Sequence, residues 1–255
     1  MQMTGNTMVI TGGNSGIGRA LATAFKELGN TVIITGRNQK TLDETVAAHP
    51  GMKAVALDVN NETDVRRVAA RLMEEYPALN TVIHNAGIMQ EEDLKSGETA
   101  AAVLQITTNL LGPILFNSAL LPHLLKQPNA TILTVSSGLA FVPLSLNPTY
   151  SATKAAIHAY TQAMRYQLAD TPVQVIELVP PYVRTGLQGE RQANDPHAMP
   201  LDEYVAETMK LLRQQPEAEE VLVERVQPQR FAEKSGEYAA FFQRMNDTLT
   251  TARKS

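Results

Sequence analysis

The sequence predicts an α/β domain built on a doubly wound, mostly parallel sheet of about seven strands, with helices on both faces. Three observations carry that expectation. Short apolar runs of strand length alternate with helix-periodic segments from one end of the chain to the other, and right-handed crossovers then make the sheet parallel. The first apolar run leads directly into a glycine-rich turn and a helix, the local order of a phosphate-binding βα unit. At 255 residues the chain is large enough to cover both faces of one sheet and small enough to form one domain, residues 1–255.

Met8-Val9-Ile10 is the continuous apolar run expected of a strand buried on both faces. Thr11-Gly12-Gly13-Asn14-Ser15-Gly16-Ile17-Gly18 follows. The helix after it carries Ile17, Leu21, Ala24 and Leu28 on one stripe and is closed by Gly29. Outward backbone N–H groups at that helix start, with glycines that admit a ligand to the main chain, suit a pyrophosphate. Gly12, Asn14, Ser15, Gly16, Ile17 and Gly18 are therefore the expected contacts, although the spacing G-x-x-x-G-x-G is longer than the common dinucleotide fingerprint.

A second strand, Thr31 to Thr35, ends in Gly36-Arg37. An acidic residue at this point usually takes a ribose 2′-hydroxyl. Gly36 cannot do so, and Arg37 offers a cationic fork suited to a 2′-phosphate. The expected cofactor is NADP(H) in preference to NAD(H), with NAD(H) still possible, and Lys40 is placed to assist. Helix Thr41 to His49 stops at Pro50-Gly51, and a third strand, Ala54 to Leu57, delivers Asp58-Val59 to the edge where such sheets bind ligands. Asn60 or Asn61 is better placed than Asp58 to cap the next helix, Glu62 to Tyr76, which leaves Asp58 for the adenine. The fourth strand, Thr81 to Ile83, opens into His84-Asn85-Ala86-Gly87, small residues that let a backbone pass close to a ligand.

Leu104 to Leu125 is leucine-rich but broken by Asn109, Pro113, Asn117, Pro122 and His123, which suits a buried or interface helix better than a membrane span. Asn109 needs partners there, and Pro113 should kink the helix. The leucines cover most of its circumference, so a homodimer or homotetramer built on this helix and the Tyr150–Ala169 helix is expected. The alternative is that Phe231 to Leu249 folds back as a cover. A fifth strand, Thr131 to Val135, ends in Ser136-Ser137-Gly138.

Beyond it, Tyr150 and Lys154 lie four apart on a helix and share one face. A free phenol titrates near about 10, and a neighbouring ammonium should lower that value, preparing a general acid–base. A sixth strand, Val173 to Val179, ends in Pro180-Pro181-Tyr182-Val183-Arg184-Thr185. A substrate lid is expected at about residues 186–215, of which Gly186 to Pro200 is polar and aperiodic. A helix from Leu201 to Leu212, the strand Val221 to Val223 and a helix near Tyr238 to Leu249 complete the chain.

Composition removes several classes. A net charge of −4 with no basic cluster argues against nucleic acid. The chain has no cysteine, so disulfides, thiolate metal sites and a cysteine nucleophile are excluded. Its five histidines show no metal-ligand spacing, and no metal is expected. With 44% apolar and 19% charged residues the chain reads as soluble, and the strand that begins almost at once leaves no room for a signal peptide. A cytoplasmic location is the expectation.

Read in order, Thr11-Gly12-x-x-x-Gly16-Ile17-Gly18, Asn85-Ala86-Gly87, Ser137 and Tyr150-x-x-x-Lys154 resemble the short-chain dehydrogenase/reductase family, over residues 7 to 185. The resemblance implies a Rossmann-type oxidoreductase acting on a small carbonyl compound or secondary alcohol. It implies Tyr150 as proton donor, Ser137 as the group that orients the substrate oxygen, and Lys154 as the residue that tunes Tyr150 and holds the nicotinamide ribose. Asn109 would anchor a proton-relay water. Gly12, Ser15, Ile17, Arg37, Asp58, Val59, Asn85, Ala86, Gly87, Pro180, Val183 and Thr185 match cofactor positions. His84 and Pro181 depart from the common pattern. The double proline resembles a bacterial branch associated with teichoic-acid D-alanylation, and it leaves amide contacts to Val183 and Thr185. Two other readings stand beside this one. A non-catalytic NADP-sensing regulator would usually lose the tyrosine or lysine, and an epimerase or dehydratase would usually carry G-x-x-G-x-x-G.

Overall fold

The computed structural model describes residues 1–251, with side chains through residue 248. Seven parallel strands lie in the order β3-β2-β1-β4-β5-β6-β7. They are β1 (Thr7–Thr11), β2 (Thr31–Gly36), β3 (Lys53–Ala56), β4 (Leu79–His84), β5 (Ala130–Val135), β6 (Val173–Leu178) and β7 (Glu220–Val221). Strand order reverses between β1 and β4, and that switch point opens the crevice where open α/β sheets bind ligands.

Each strand feeds two cores by simple alternation. Met8, Ile10, Val32 and Ile34 point to one face, and Val9, Ile33 and Val82 to the other. On the first face lie α1 (Gly16–Glu27) and α2 (Gln39–Ala48), burying Leu21, Phe25 and Leu42. On the second lies α3 (Glu62–Glu75), burying Val65, Val68 and Leu72. Full burial of each such side chain contributes about 1.5–3 kcal/mol. Asn38 caps α2 by accepting the Thr41 N–H, and Asn61 caps α3 by accepting the Asp64 N–H at 3.1 Å. Asn61, not Asn60, is thus the cap that frees Asp58.

The leucine-rich helix is in three pieces: α4 (Ala100–Ile106), a π-helical turn over Thr107–Leu111, and α5 (Gly112–Leu124). The expected kink at Pro113 takes this form. Pro113 has no N–H to give the carbonyl of Asn109 four residues before it, and the ladder widens there. The Ala100–Leu124 stretch is long and apolar enough to cross a membrane. However, Gln105, Thr108, Asn109 and Asn117 are buried along it within the domain, as suits a core helix.

Chain order continues with α6 (Pro148–Gln167), α7 (Glu190–Asn194), α8 (Leu201–Gln214), α9 (Gln227–Arg230) and α10 (Tyr238–Thr251). The second half of the expected 186–215 lid is a core helix. α8 packs on α1 and buries Tyr204, Val205, Met209 and Leu212. From the first half, Gly186, Leu187, Gln188, Arg191 and Gln192 line the crevice. The C-terminal α10 covers the crevice and not the leucine-rich helix. Val103, Leu104, Ile106, Leu111, Leu125 and Tyr166 therefore remain exposed on α4, α5, α6 and their connections. The side chain of Leu249, part of the anticipated cover, lies outside the described residues.

Candidate active site

A cavity of about 700 Å³ lies at the carboxyl ends of β1, β4, β5 and β6. It is built as the strand ends are tied together. Asn85 donates through Nδ2 to the carbonyls of Thr11 (3.0 Å) and Gly12 (3.2 Å), while its own N–H and that of Ala86 donate to Thr11 Oγ1. Across the cleft, the Gly138 N–H donates to the Pro180 carbonyl at 2.9 Å.

Ser137, Tyr150 and Lys154 converge on one wall. Ser137 leaves β5 with its Oγ accepting the Leu139 N–H at 3.1 Å, and it hydrogen-bonds to the Tyr150 phenol. The start of α6, which places Tyr150, is pinned by Glu92. That carboxylate accepts the Thr149 N–H (3.1 Å) and hydroxyl (2.7 Å), a favourable position for negative charge at a helix N-terminus. Lys154 Nζ donates to the Val135 carbonyl at 2.8 Å and lies 5.5 Å from the Tyr150 ring centre.

Burial pushes the Tyr150 phenol up to about 12, with the Ser137 hydrogen bond acting in the opposite direction. The expected lowering by Lys154 is not what governs this tyrosine, because desolvation of the phenolate outweighs it. Tyr150 is consequently a protonated phenol at neutral pH. Burial also lowers Lys154 to about 8, opposed by the negative charge of Glu177.

Asn109 is used on both sides of its amide. Oδ1 accepts the Ile88 N–H at 2.8 Å, and Nδ2 donates to the Ile88 carbonyl (2.8 Å) and to Thr153 Oγ1 (3.2 Å). A Cβ at Gly87 would sit 3.3 Å from Asn109 Oδ1 and 3.7 Å from Lys154 Nζ, so Gly87 threads the backbone between these two side chains.

The opposite wall is a cradle without its own acceptor. Ser15 stands at the N-terminus of α1 but makes no side-chain cap, and the first turn has no acidic residue. Its leading N–H groups are thus left for an external anion. Gly12 (φ +64) and Gly16 (φ +50) take the left-handed conformation that the turn requires, and a Cβ at Gly12 would lie 3.0 Å from Ala86 Cα. These residues, with Ile17, Asn85, Val183 and Thr185 on the same cavity, fit a dinucleotide cofactor.

Several expected contacts serve the cradle from behind. Gly18 has no room for a Cβ, which would overlap Asn85 Nδ2 and the Gly12 carbonyl. Asn14 donates to Thr41 Oγ1 at 2.7 Å and closes over Gly36, where a Cβ would lie 2.6 Å from its Oδ1. Val59 packs its side chain on Gly112, whose Cβ would be 3.0 Å away. Asp58 accepts the Asn60 N–H at 3.0 Å. Arg37 is exposed at the end of β2, whereas Lys40 faces Glu44 at 3.9 Å.

Sequence reasoning passed over three groups. Gln192, buried in α7, donates to the Val183 carbonyl (2.7 Å) and ties α7 to the segment after β6. α10 supplies Phe241, Arg244, Met245 and Thr248 to the cavity. Behind Lys154, His158 Nδ1 meets Glu177 Oε2 at 2.7 Å, and Glu177 pairs in register with Glu220. These three residues have the donor chemistry of a metal site. Arg230 forks onto Glu220 at 2.7 and 2.9 Å and brings a positive charge to the cluster. The cluster comes from separate elements, so no linear spacing announces it.

Comparison with known proteins agrees with the fold. Residues 6–196 match the short chain dehydrogenase family. An uncharacterized oxidoreductase of Bacillus subtilis (strain 168), DltE, is 39% identical over 251 residues, covering 96% of this chain and 98% of that protein. An uncharacterized oxidoreductase of Staphylococcus aureus (strain N315) is 31% identical over 195 residues, 76% of this chain and 84% of its own. Among solved structures, a Burkholderia cenocepacia short chain dehydrogenase in complex with NADP superposes with a TM-score of 0.81 at 26% identity, covering 95% of this chain and 99% of that one. A Burkholderia phymatum relative in complex with NAD has a TM-score of 0.77 at 21% identity, covering 93% and 96%, and speaks for the fold. The chain is an oxidoreductase of the short-chain dehydrogenase/reductase family, and DltE is among its relatives.

Proposed function

We propose that this protein reduces a small carbonyl compound to a secondary alcohol, or runs the reverse oxidation, with NADP(H) as the preferred cofactor. The observation that carries the reading is the convergence of Ser137, Tyr150 and Lys154 on one wall of the cavity, facing the acceptor-free start of α1. The bound nicotinamide supplies or accepts the hydride. Tyr150, protonated because it is buried, gives its phenolic proton to the substrate oxygen as negative charge develops there. Ser137 orients that oxygen through its hydroxyl. Lys154 lies beside Tyr150 and favours the phenolate left behind, and the Asn109 amide fixes the Ile88 backbone on the same side. A purely regulatory role does not use this constellation. A panel of ketones and aldehydes, with NADPH oxidation followed by absorbance, tests the reading; an inert panel would argue against it.

The proposed preference for NADPH rests on Arg37, exposed and without a carboxylate beside it at Gly36. A charge-assisted fork onto a phosphate contributes about 1.5–3 kcal/mol, so NADPH should bind roughly ten- to a hundredfold more tightly than NADH. Calorimetric titration decides this, and Arg37→Ala should bring the two affinities together. Equal affinities in the unaltered protein would remove the preference.

The ionisation of Lys154 gives a pH dependence. Below about 8 the ammonium is charged and above it neutral, so kcat/KM for reduction should fall as pH rises through about 8. Glu177 opposes the effect of burial. Glu177→Gln removes its charge and should move the fall to lower pH. An unmoved profile would show that Glu177 does not act on Lys154.

The proposal includes a cytoplasmic location, no nucleic-acid partner at a net charge of −4, and a homodimer or homotetramer. Val103, Ile106, Leu111 and Tyr166 give an apolar surface that α10 leaves open, and two-fold pairing would bury it. Sedimentation equilibrium is expected to show a dimer or tetramer at micromolar concentration. A monomer would take the α4–α5 helices out of any interface.

A further inference from the structure

The cavity-facing residues of α10 are Phe241, Arg244, Met245 and Thr248, which fall at i, i+3, i+4 and i+7 and therefore form one helical face. That face is held in place from the other side. Asn246 is buried, its Oδ1 accepts the Ser145 N–H at 2.6 Å, and its Nδ2 donates to the Pro143 carbonyl at 3.2 Å. The loop so gripped leads directly into α6 and contributes Leu144 and Leu146 to the cavity. Gln229 adds a second tie, from Nε2 to Met245 Sδ at 3.6 Å. The C-terminal helix is thus a fixed wall of the site that holds Tyr150.

Charge on that wall is one-sided. No aspartate or glutamate lines the cavity among the described residues, and its cations are Lys154, Arg191 and Arg244. Lys154 is bonded to the Val135 carbonyl, and Arg191 faces Glu91 at 3.7 Å. Arg244 lies over the Phe241 ring at 5.6 Å and has no carboxylate partner among the described residues. The same cavity that holds Arg244 and Tyr150 is lined by the apolar side chains of Leu144, Leu146, Phe241 and Met245.

We infer that the substrate is an oxo acid, an amphipathic carbonyl compound whose carboxylate is taken by Arg244 while its apolar body lies against these leucines and Met245. A guanidinium with no carboxylate partner among the described residues suits one carboxylate, in a geometry that allows two parallel hydrogen bonds. This rests on the carbonyl-reductase reading. The carbonyl carbon gains a hydride from NADPH, its oxygen gains the Tyr150 proton, the C=O double bond becomes C–OH, and NADP⁺ is released. The carboxylate passes through unchanged.

The test is a series of straight-chain oxo acids of increasing length, each paired with its methyl ester and assayed with NADPH. At the best chain length the acid is expected to exceed its ester in kcat/KM by roughly ten- to a hundredfold. Arg244→Met should bring that ratio close to one, chiefly through KM for the acid, and Arg244→Lys should restore part of it. Arg244 is exposed, so the variants are expected to fold, and circular dichroism checks this. Calorimetric titration of the preferred oxo acid into the cofactor-loaded protein should lose affinity in Arg244→Met by a similar factor. An acid-to-ester ratio near one in the unaltered protein, or one unchanged by Arg244→Met, overturns the inference. Turnover of neutral carbonyls alone also overturns it but leaves the reductase reading standing. No turnover of any carbonyl removes both.

Discussion

Exchanging Tyr150 for Phe is expected to lower carbonyl-reduction turnover by about 10²–10⁴-fold, the usual contribution of a positioned general acid. The ring is buried, and Phe keeps its packing between Ser137 and Lys154; only the oxygen that carries the proton is lost. Thermal unfolding and NADPH affinity should therefore stay close to those of the unaltered protein, while NADPH oxidation in the presence of a confirmed substrate collapses. A variant that kept most of its turnover would mean that the proton comes from elsewhere, and the reading of α6 would fail.

The second large effect is structural and falls at Gly18. The added methyl of Gly18→Ala would occupy the space of Asn85 Nδ2 and the Gly12 carbonyl. Asn85 would have to leave its bonds to Thr11 and Gly12, which join the ends of β1 and β4 beneath the cradle. Overpacking with lost buried hydrogen bonds costs about 2–3 kcal/mol, and NADPH affinity should fall at least tenfold as the α1 start moves. Gly186→Ala is the contrast, since a Cβ there meets nothing within 4 Å; its effect on stability should be within about 0.5 kcal/mol. Thermal unfolding and calorimetry on both variants check the pair. Equal stabilities would show that the Gly18–Asn85 contact is not the constraint described.

What the sequence made legible is what local pattern controls. The strands are buried on both faces, so Met8-Val9-Ile10 stands out as a continuous apolar run and Thr131 to Val135 as one rich in β-branched residues. The Tyr150–Lys154 spacing encodes a shared helix face directly. Gly36-Arg37 was visible as a missing carboxylate, but its packing reason, the Asn14 side chain closing over Gly36, depends on a contact between separate elements. The ionisation of Tyr150 went the other way from the local argument, since depth of burial is a property of the whole fold. The same holds for α10. Its cavity face is legible as helical spacing, but only the Asn246 contacts to the 143–145 loop show what that face is turned toward. The second half of the 186–215 stretch reads as lid from its polar approach, whereas the burial of Tyr204, Val205 and Met209 that makes α8 a core helix depends on what packs against it.

Isotope transfer tests the central claim most directly. NADPH deuterated at its transferable position would be incubated with the protein and its best carbonyl substrate, and the alcohol product examined by mass spectrometry. One deuterium on the carbinol carbon is expected, formed at a rate that Tyr150→Phe lowers by about 10²–10⁴-fold. Tight NADPH binding with no deuterium in any product, across neutral and acidic carbonyls alike, would contradict it and return the protein to the class of cofactor-sensing proteins.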